Sequence, residues 1–337
     1  MSESMTSVLH AAIAKRAPLF TGSRDSAFRL YNGFTEGLPE LALDVYGTTL
    51  VINDYSEEGD EDAGKNVADI VCAELPWVTT VLYKVRNAKE PAARNGRLLR
   101  GDAKLVTKKI KENGVKYALQ LMLNRDASLY LDTRNLRVWA KEMLADKKVL
   151  NAFAYTGSLG VAARAAPAAQ VVQTDRDRDF LFVSKDSYAM NGFPIVKADY
   201  RIGDFFAVVA QLKRDNALFD CVMLDPPFFA QSDRGAGSGG KIDIEQDMES
   251  LINKVRPLVG DGGWLVVVNN GLFVSGADYH AMLTRVCESG YASIDKLIAV
   301  PDDFIGERGE WPTDPAPFNH PTKIAVLKMR RKDGRTA

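Results

Sequence analysis

The chain has 337 residues, 46% of them hydrophobic and 26% charged, with a formal net charge of −1. That is an ordinary globular composition with room for two domains, and the near-neutral charge excludes a uniformly basic nucleic-acid binder. Three cysteines and three histidines lack paired or metal-like spacing, which excludes a disulfide framework and a structural zinc site and reads as a reducing, cytoplasmic setting.

No apolar run approaches the roughly 20 residues that a membrane span needs. Residues 1–27 open with MSESMTSVLHAAIAKRAPLF, which lacks the apolar core and cleavage site of a secretory signal. Its Ala/Ser-rich, weakly amphipathic character is compatible with organellar import, but it is read here as an N-terminal helix. From 28 to 122 the runs FRLYNGF, LALDVYG and TLVINDY precede a helical stretch, AGKNVADIVCAEL. TTVLYKV, LRGDAKLV and VKYALQLM follow. Short runs separated by Gly and turn residues predict a small α+β domain rich in hairpins. Within it, residues 84–116 hold eleven Lys/Arg against three Asp/Glu, an excess suited to phosphate contact or to a solvated hairpin.

A linker helix is expected over 123–146, and from 147 the pattern changes. KKVLNAFAYTG, AQVVQTD, FPIVKAD, FDCVMLDPP and GGWLVVVNN are apolar, β-branched runs. LGVAARAA, RDFLFVSKDSYAMNG, IGDFFAVVAQLKRD and IEQDMESLINKVRPL stand between them at helical length. Alternation of this kind predicts a parallel, doubly wound α/β sheet. ASIDKLIAV and TKIAVLKM, joined by a Pro-rich loop, add an antiparallel pair before a basic tail at 331–337. The expected domain over 147–330 is therefore a Rossmann-like, seven-stranded sheet of the class I methyltransferase type.

Ligands of open α/β sheets bind beyond the carboxyl ends of the strands. The first strand runs into Asn151, Phe153, Tyr155, Thr156, Gly157 and Gly160, a turn that exposes helix N-terminal N–H groups to a carboxylate. It lacks the three-glycine dinucleotide fingerprint. Asp175 ends the second strand, beside Arg176, where a carboxylate can accept both hydroxyls of a ribose. Asp199, followed by Tyr200, is placed at the end of the third strand to accept from an adenine amine. A helix N-cap would use the same aspartates. The fourth strand ends in Asp225, Pro226, Pro227 and Phe228. The two prolines remove backbone donors, Asp225 and the Pro226 carbonyl can accept from a planar amine, and Phe228 offers a stacking face. The loop RGAGSGGK (234–241) lacks the Walker pattern and is read as a substrate lid, and Arg308, Trp311 and Phe318 are candidate substrate contacts or edge packing.

FRLYNGFTEGLPELALDVYG, YLDTRN, VLNAFAYTGSLG, LDPPFFAQS and VVVNN occur in this order. Together they resemble the bacterial large-subunit 23S rRNA methyltransferases that modify cytosine C5 or guanine N7, over residues 15–329. The resemblance implies a strand–strand–helix–strand–strand domain ahead of the catalytic one, without the PUA module usual in cytosine members. It implies S-adenosylmethionine as cofactor, held by Asn151, Phe153, Tyr155, Asp175, Asp199 and Asp225, with Tyr130, Asp132 and Arg134 of YLDTRN supporting the pocket. It also implies RNA as partner, with no metal and no membrane, the protein acting as a monomer or homodimer. C5 chemistry needs a cysteine thiolate that adds to C6. The cytosine branch carries it after the fifth strand, where this chain has Asn269 and Asn270. Asn269 beside the Asp225–Phe228 loop resembles the guanine-N7 branch. The alternatives are C5 transfer, or a small-molecule or protein substrate on the same scaffold.

Overall fold

The computed structural model describes residues 3–227, 229–231, 241–305, 317–318 and 320–337, in two compact units. Unit 1 is Met1–Asp132 with Pro301–Trp311, and unit 2 is Thr133–Val300 with Pro312–Ala337. The chain thus passes between the units three times. Phe228, Arg308, Trp311 and the loop 234–240 lie outside the described residues.

In unit 1, α1 (Glu3–Arg16), β1 (Ala27–Asn32), α2 (Gly33–Glu36), β2 (Leu41–Tyr46), β3 (Thr49–Asp54) and α3 (Glu61–Glu74) come first. β4 (Thr80–Val85), α4 (Pro91–Asn95), β5 (Arg97–Arg100), β6 (Lys109–Glu112) and β7 (Val115–Ala118) follow. β1 to β5 form one sheet in sequence order, antiparallel except for β3–β4, while β6 and β7 pair as a separate antiparallel hairpin. Asp60 caps α3 by accepting from the Ala63 N–H at 2.9 Å, and Glu61 and Asp62 face its positive end. Val67, Ala68 and Val71 of α3 pack with Leu43, Leu50 and Val81 of the sheet. Leu9, Ala12 and Ile13 of α1 join the same core, so this helix belongs to the unit rather than extending from it.

Ionic side chains lock unit 1 internally. Arg16, 1% exposed, forks onto Glu36 and also donates to the Asp303 carbonyl at 2.9 Å. The Asp303 carboxylate accepts from the Arg29 N–H at 2.8 Å, and the Phe304 carbonyl from the Asn32 amide at 2.8 Å. Arg29 meets Asp44 at 2.9 Å and lies 4.5 Å over the Phe304 ring. Lys84 is fully buried in β4 and donates to the carbonyls of Asn124 (2.8 Å) and Asp126 (2.9 Å), while Arg86 meets the Asp126 carboxylate at 2.7 Å. These contacts hold residues 124–126 in unit 1. The linker helix accordingly begins only at Arg134, not at 123. Burial, reinforced by the nearby Arg86, pushes the Lys84 ammonium down to about 7. Lys84→Met leaves buried carbonyls without a donor. It should destabilise the protein by about 2–4 kcal/mol, read as a lowered urea midpoint; an unchanged midpoint would remove Lys84 as an anchor.

Unit 2 runs α5 (Arg134–Met143), β8 (Lys148–Ala152), α6 (Ser158–Ala165), β9 (Gln170–Asp175), α7 (Arg178–Asn191), β10 (Tyr200–Ile202) and α8 (Phe205–Arg214). It continues with β11 (Phe219–Leu224), a β12 (Phe229–Gln231) and β13 (Lys241–Asp243) hairpin, α9 (Ile244–Val255), β14 (Val259–Asn269), α10 (Gly276–Cys287), β15 (Ala292–Ile298) and β16 (Lys323–Met329). The main sheet has the order β10-β9-β8-β11-β14-β16-β15, parallel through β14 and antiparallel at β16 and β15. Counted as seven strands this is 3-2-1-4-5-7-6, the expected methyltransferase arrangement. Both faces are covered. Val222, Leu224, Leu265 and Val267 pack on one side, and Cys221, Met223, Val266 and Val268 on the other with Leu136, Trp139 and Ala140 of α5. Burial on both faces is why these strands read as continuous β-branched runs.

One expectation needs correction here and another refinement. FPIVKAD is not the third strand: Ile195 and Val196 are nearly half exposed, and pairing begins at Tyr200. The second expectation, a basic tail at 331–337, is refined rather than overturned: the Arg331 N–H donates to Asp261 at 2.7 Å and the Asp261 N–H to the Arg335 carbonyl at 2.7 Å.

Candidate cofactor and substrate site

The carboxyl ends of β8, β9, β10, β11 and β14 lie along one edge of the unit 2 sheet. After β8 the chain turns sharply. Phe153 (φ 56°), Tyr155 (φ 51°) and Gly157 (φ 75°) all adopt left-handed backbone within five residues. For Phe and Tyr each such conformation costs on the order of 1–3 kcal/mol, so the surroundings must impose it. They do so through two strand-end contacts: Ala154 N–H donates to the Thr174 carbonyl at 2.8 Å, and Tyr155 N–H to the Asp175 carboxylate at 2.7 Å. Gly157 then caps α6. A Cβ on Gly157 would lie 2.3 Å from the Ser184 hydroxyl, and one on Gly160 2.6 Å from the Gln173 amide. Only glycine lets the loop rest on that polar layer.

The layer beneath is buried and hydrogen-bonded. Gln173 donates to Ser184 at 2.7 Å and accepts from the Asn151 amide at 3.3 Å. The Asn151 Oδ1 is buried and accepts no hydrogen bond among the described residues. Thr156 is buried within the loop. Tyr200 packs with Ala154 and Leu181 under it, supporting the turn from below.

Asp175 occupies the end of β9 as expected, with Arg176 exposed beside it. Burial raises its carboxyl above the usual range, opposed by N–H donors from Asp177 and Tyr155. The two carboxylate oxygens accept these separately (2.9 and 2.7 Å), and the Arg176 N–H adds a third donor that holds the carboxylate in place at the strand end. Asp199 is a correction. It precedes β10 and accepts from Gln170 at 2.7 Å, and Gln170 begins β9, so Asp199 stands at the opposite edge of the sheet. The acid after β10 is Asp204, which caps α8 through the Phe206 and Ala207 N–H groups at 3.0 and 3.1 Å. Phe205 beside it stacks on Phe153 with centroids 4.4 Å apart. The Gly-Asp pair ahead of a helical run was the available signal.

β11 delivers Asp225, partly buried, then Pro226, buried, and Pro227, exposed. The Asn270 amide donates to the Asp225 carboxylate at 3.2 Å. The expected partner Asn269 is instead 2% exposed and accepts from the Gly271 N–H at 2.8 Å, so it shapes the turn. Lys323, fully buried and opposite Asn269 in β16, donates to the Gly271 carbonyl at 3.1 Å and fixes that turn from behind. Sequence reasoning missed it, because a lysine opening an apolar strand gives no sign of what it reaches. Cys221 is fully buried inside the sheet, where burial pushes its thiol up. Phe318 is 2% exposed and packs edge-on against Tyr279 at 5.2 Å, so it is core and not a substrate contact. Tyr130 and Asp132 belong to unit 1, where Tyr130 donates to Asp126 at 3.0 Å, and Arg134 opens α5 of unit 2.

The glycine cradle, the open Asn151 oxygen and the strand-end acid fit a nucleoside carrying an amino-acid tail. Such a cofactor, S-adenosylmethionine, supplies an electrophilic methyl group. Among the described residues no cluster could hold a metal ion, and no helix is long and apolar enough to cross a membrane.

The chain is similar to known methyltransferases. The Ribosomal RNA large subunit methyltransferase I of Photobacterium profundum is 31% identical over 278 residues, 79% of this chain and 67% of that protein. Its Shewanella denitrificans namesake is 29% identical over 252 residues, and the match spans 62% of that relative's length. A solved putative methyltransferase complexed with SAH shares the fold with a TM-score of 0.82 at 19% identity, covering 97% of this chain and 81% of its own. A family model for S-adenosylmethionine-dependent methyltransferases matches residues 81–306. With that match and the Photobacterium likeness, the chain belongs to the S-adenosylmethionine-dependent methyltransferases, among the bacterial large-subunit ribosomal RNA group.

Proposed function

We propose that this protein methylates ribosomal RNA at a guanine N7, with S-adenosylmethionine as donor. The observation that carries the reading is the polar pair Asp225–Asn270 at adjoining strand ends, 3.2 Å apart. In this reading the Phe153–Gly157 turn and the α6 N-terminus receive the methionine tail, and Asp175 the ribose. Asp204 and Phe205 replace Asp199 at the adenine. Arg176 flanks the ribose, and Arg134 supports the pocket from the start of α5. Asp225, the Pro226 carbonyl and Asn270 orient the base edge, and Asn269 acts through the turn.

Guanine N7 carries an exposed lone pair, so alignment with the sulfonium methyl suffices and no base is required. Cytosine C5 would need a thiolate. Neither Asn269 nor Asn270 supplies one, and Cys221 is sealed in the sheet. The names of the relatives support the RNA class. Deleting the gene should remove a 7-methylguanosine from large-subunit RNA, read by mass spectrometry of digested nucleosides. Loss of 5-methylcytidine would overturn the target atom, and unchanged RNA would overturn the substrate class.

A further inference from the structure

Nine of the eleven basic residues in the segment 84–116 of unit 1 sort into three groups. Lys84 and Arg86 turn inward onto residues 124–126. Arg97 and Arg100 on β5 pair with Glu61 and Asp69 of α3. The third group is Lys104, Lys108, Lys109, Lys111 and Lys116, all exposed. The only acid between 103 and 118 is Glu112, which is 9% exposed. Asp25, whose carbonyl accepts from the Lys111 N–H, gives its carboxylate to the Ser23 hydroxyl.

The β6–β7 register organises these charges. Ile110 and Tyr117 pair and are buried, so their neighbours Lys109, Lys111 and Lys116 share the outward face. Lys109 and Lys111 stand about 7 Å apart along the strand. Lys111 and Lys116 are direct cross-strand partners, with Cβ atoms about 5 Å apart. Like charges directly opposite one another repel across a hairpin. A ligand bearing regularly spaced negative charges complements this exposed row.

We propose that the outward face of the β6–β7 hairpin, with Lys104 and Lys108 beside it, is a docking surface for the phosphodiester backbone of the substrate RNA. This rests on the RNA reading above and adds where the RNA is gripped away from the methyl-transfer site. Because phosphate contacts carry no sequence information, the surface supplies affinity and register, while base choice stays at the strand-end site.

The test is binding of protein-free large-subunit rRNA, prepared from cells lacking the gene, across a salt series. The triple variant Lys109→Gln, Lys111→Gln, Lys116→Gln should flatten the slope of log affinity against log salt by about 2 and lower affinity on the order of 100-fold at 0.1 M salt. Its binding of S-adenosylmethionine should be unchanged. A matched triple in unit 2, Lys213→Gln, Lys254→Gln and Lys296→Gln, should leave the slope nearly intact. Lys111→Glu faces Lys116 with an opposite charge, so its melting temperature should hold or rise while RNA affinity falls. Equal losses in both triples would reduce the effect to net charge and overturn the proposal. So would wild-type affinity in the hairpin triple of an enzyme that still methylates RNA, with the RNA reading left standing. Wild-type protein that neither binds nor methylates the RNA would remove both. Loss of affinity for polyglutamate but not for RNA would overturn it in favour of an acidic protein partner.

Discussion

Asp225→Ala should lower methyl transfer to RNA on the order of 10²–10³-fold, with the melting temperature unchanged. The residue directly follows β11, whose last residue, Leu224, is paired on both sides, to Ala152 of β8 and Val267 of β14. The two prolines that follow have no N–H to spend on its carboxylate. Its carboxylate accepts from the Asn270 amide, across the gap between adjoining strand ends. Alanine therefore leaves the sheet and both apolar faces untouched, and removes an acceptor whose position is fixed in advance. Asn270→Ala should cost less, about tenfold, because it orients Asp225 and the base together. Single-turnover transfer at saturating S-adenosylmethionine separates chemistry from cofactor affinity, with calorimetry as the control. Transfer within fivefold of wild type would take Asp225 out of the site.

Gly157→Ala should have the second largest effect, because it acts on stability and cofactor binding at once. The new methyl group meets Ser184 and Gln173 inside 2.6 Å, and both are fully buried, so neither can swing away into solvent. The left-handed backbone adds its own penalty for any residue with a Cβ. Together these should destabilise the protein by about 2–4 kcal/mol. Relief by lifting the loop would displace Phe153 and Tyr155 relative to Asp175, and a shift near 1 Å costs about 100-fold in a positioned site. Cofactor affinity by calorimetry and the urea midpoint report the two effects separately. Wild-type affinity would mean that the turn does not touch the cofactor.

Much of unit 2 was legible because its central strands are buried on both faces and announce themselves as unbroken β-branched runs. β10 was not: it has three residues, two of them exposed, and the apolar FPIV before it is loop. That slip of a few residues moved the third strand-end acid from Asp204 to Asp199, which is the other edge of a parallel sheet. Asn269 and Asn270 illustrate the same sensitivity over one residue, since adjacent side chains point to opposite faces. Lys84 and Arg86 read as surface charge because the acceptors they serve, the Asp126 carbonyl and carboxylate, lie about 40 residues away in the chain. Contacts between residues remote in sequence leave no local pattern. For the same reason nothing foretold that Asp303 and Phe304 would complete unit 1.

That last arrangement bears on the order of assembly. Arg16 waits for a carbonyl 287 positions downstream, and Asn32 for one 272 positions downstream. At roughly 5–20 residues per second, synthesis delivers those partners about 15–60 s later. Until then the first unit to leave the ribosome keeps a buried guanidinium and an amide one acceptor short. It closes only when nearly all of the second unit has been made. Such long loops are slow to close, so completion of the first unit is expected as a late, slow phase of folding.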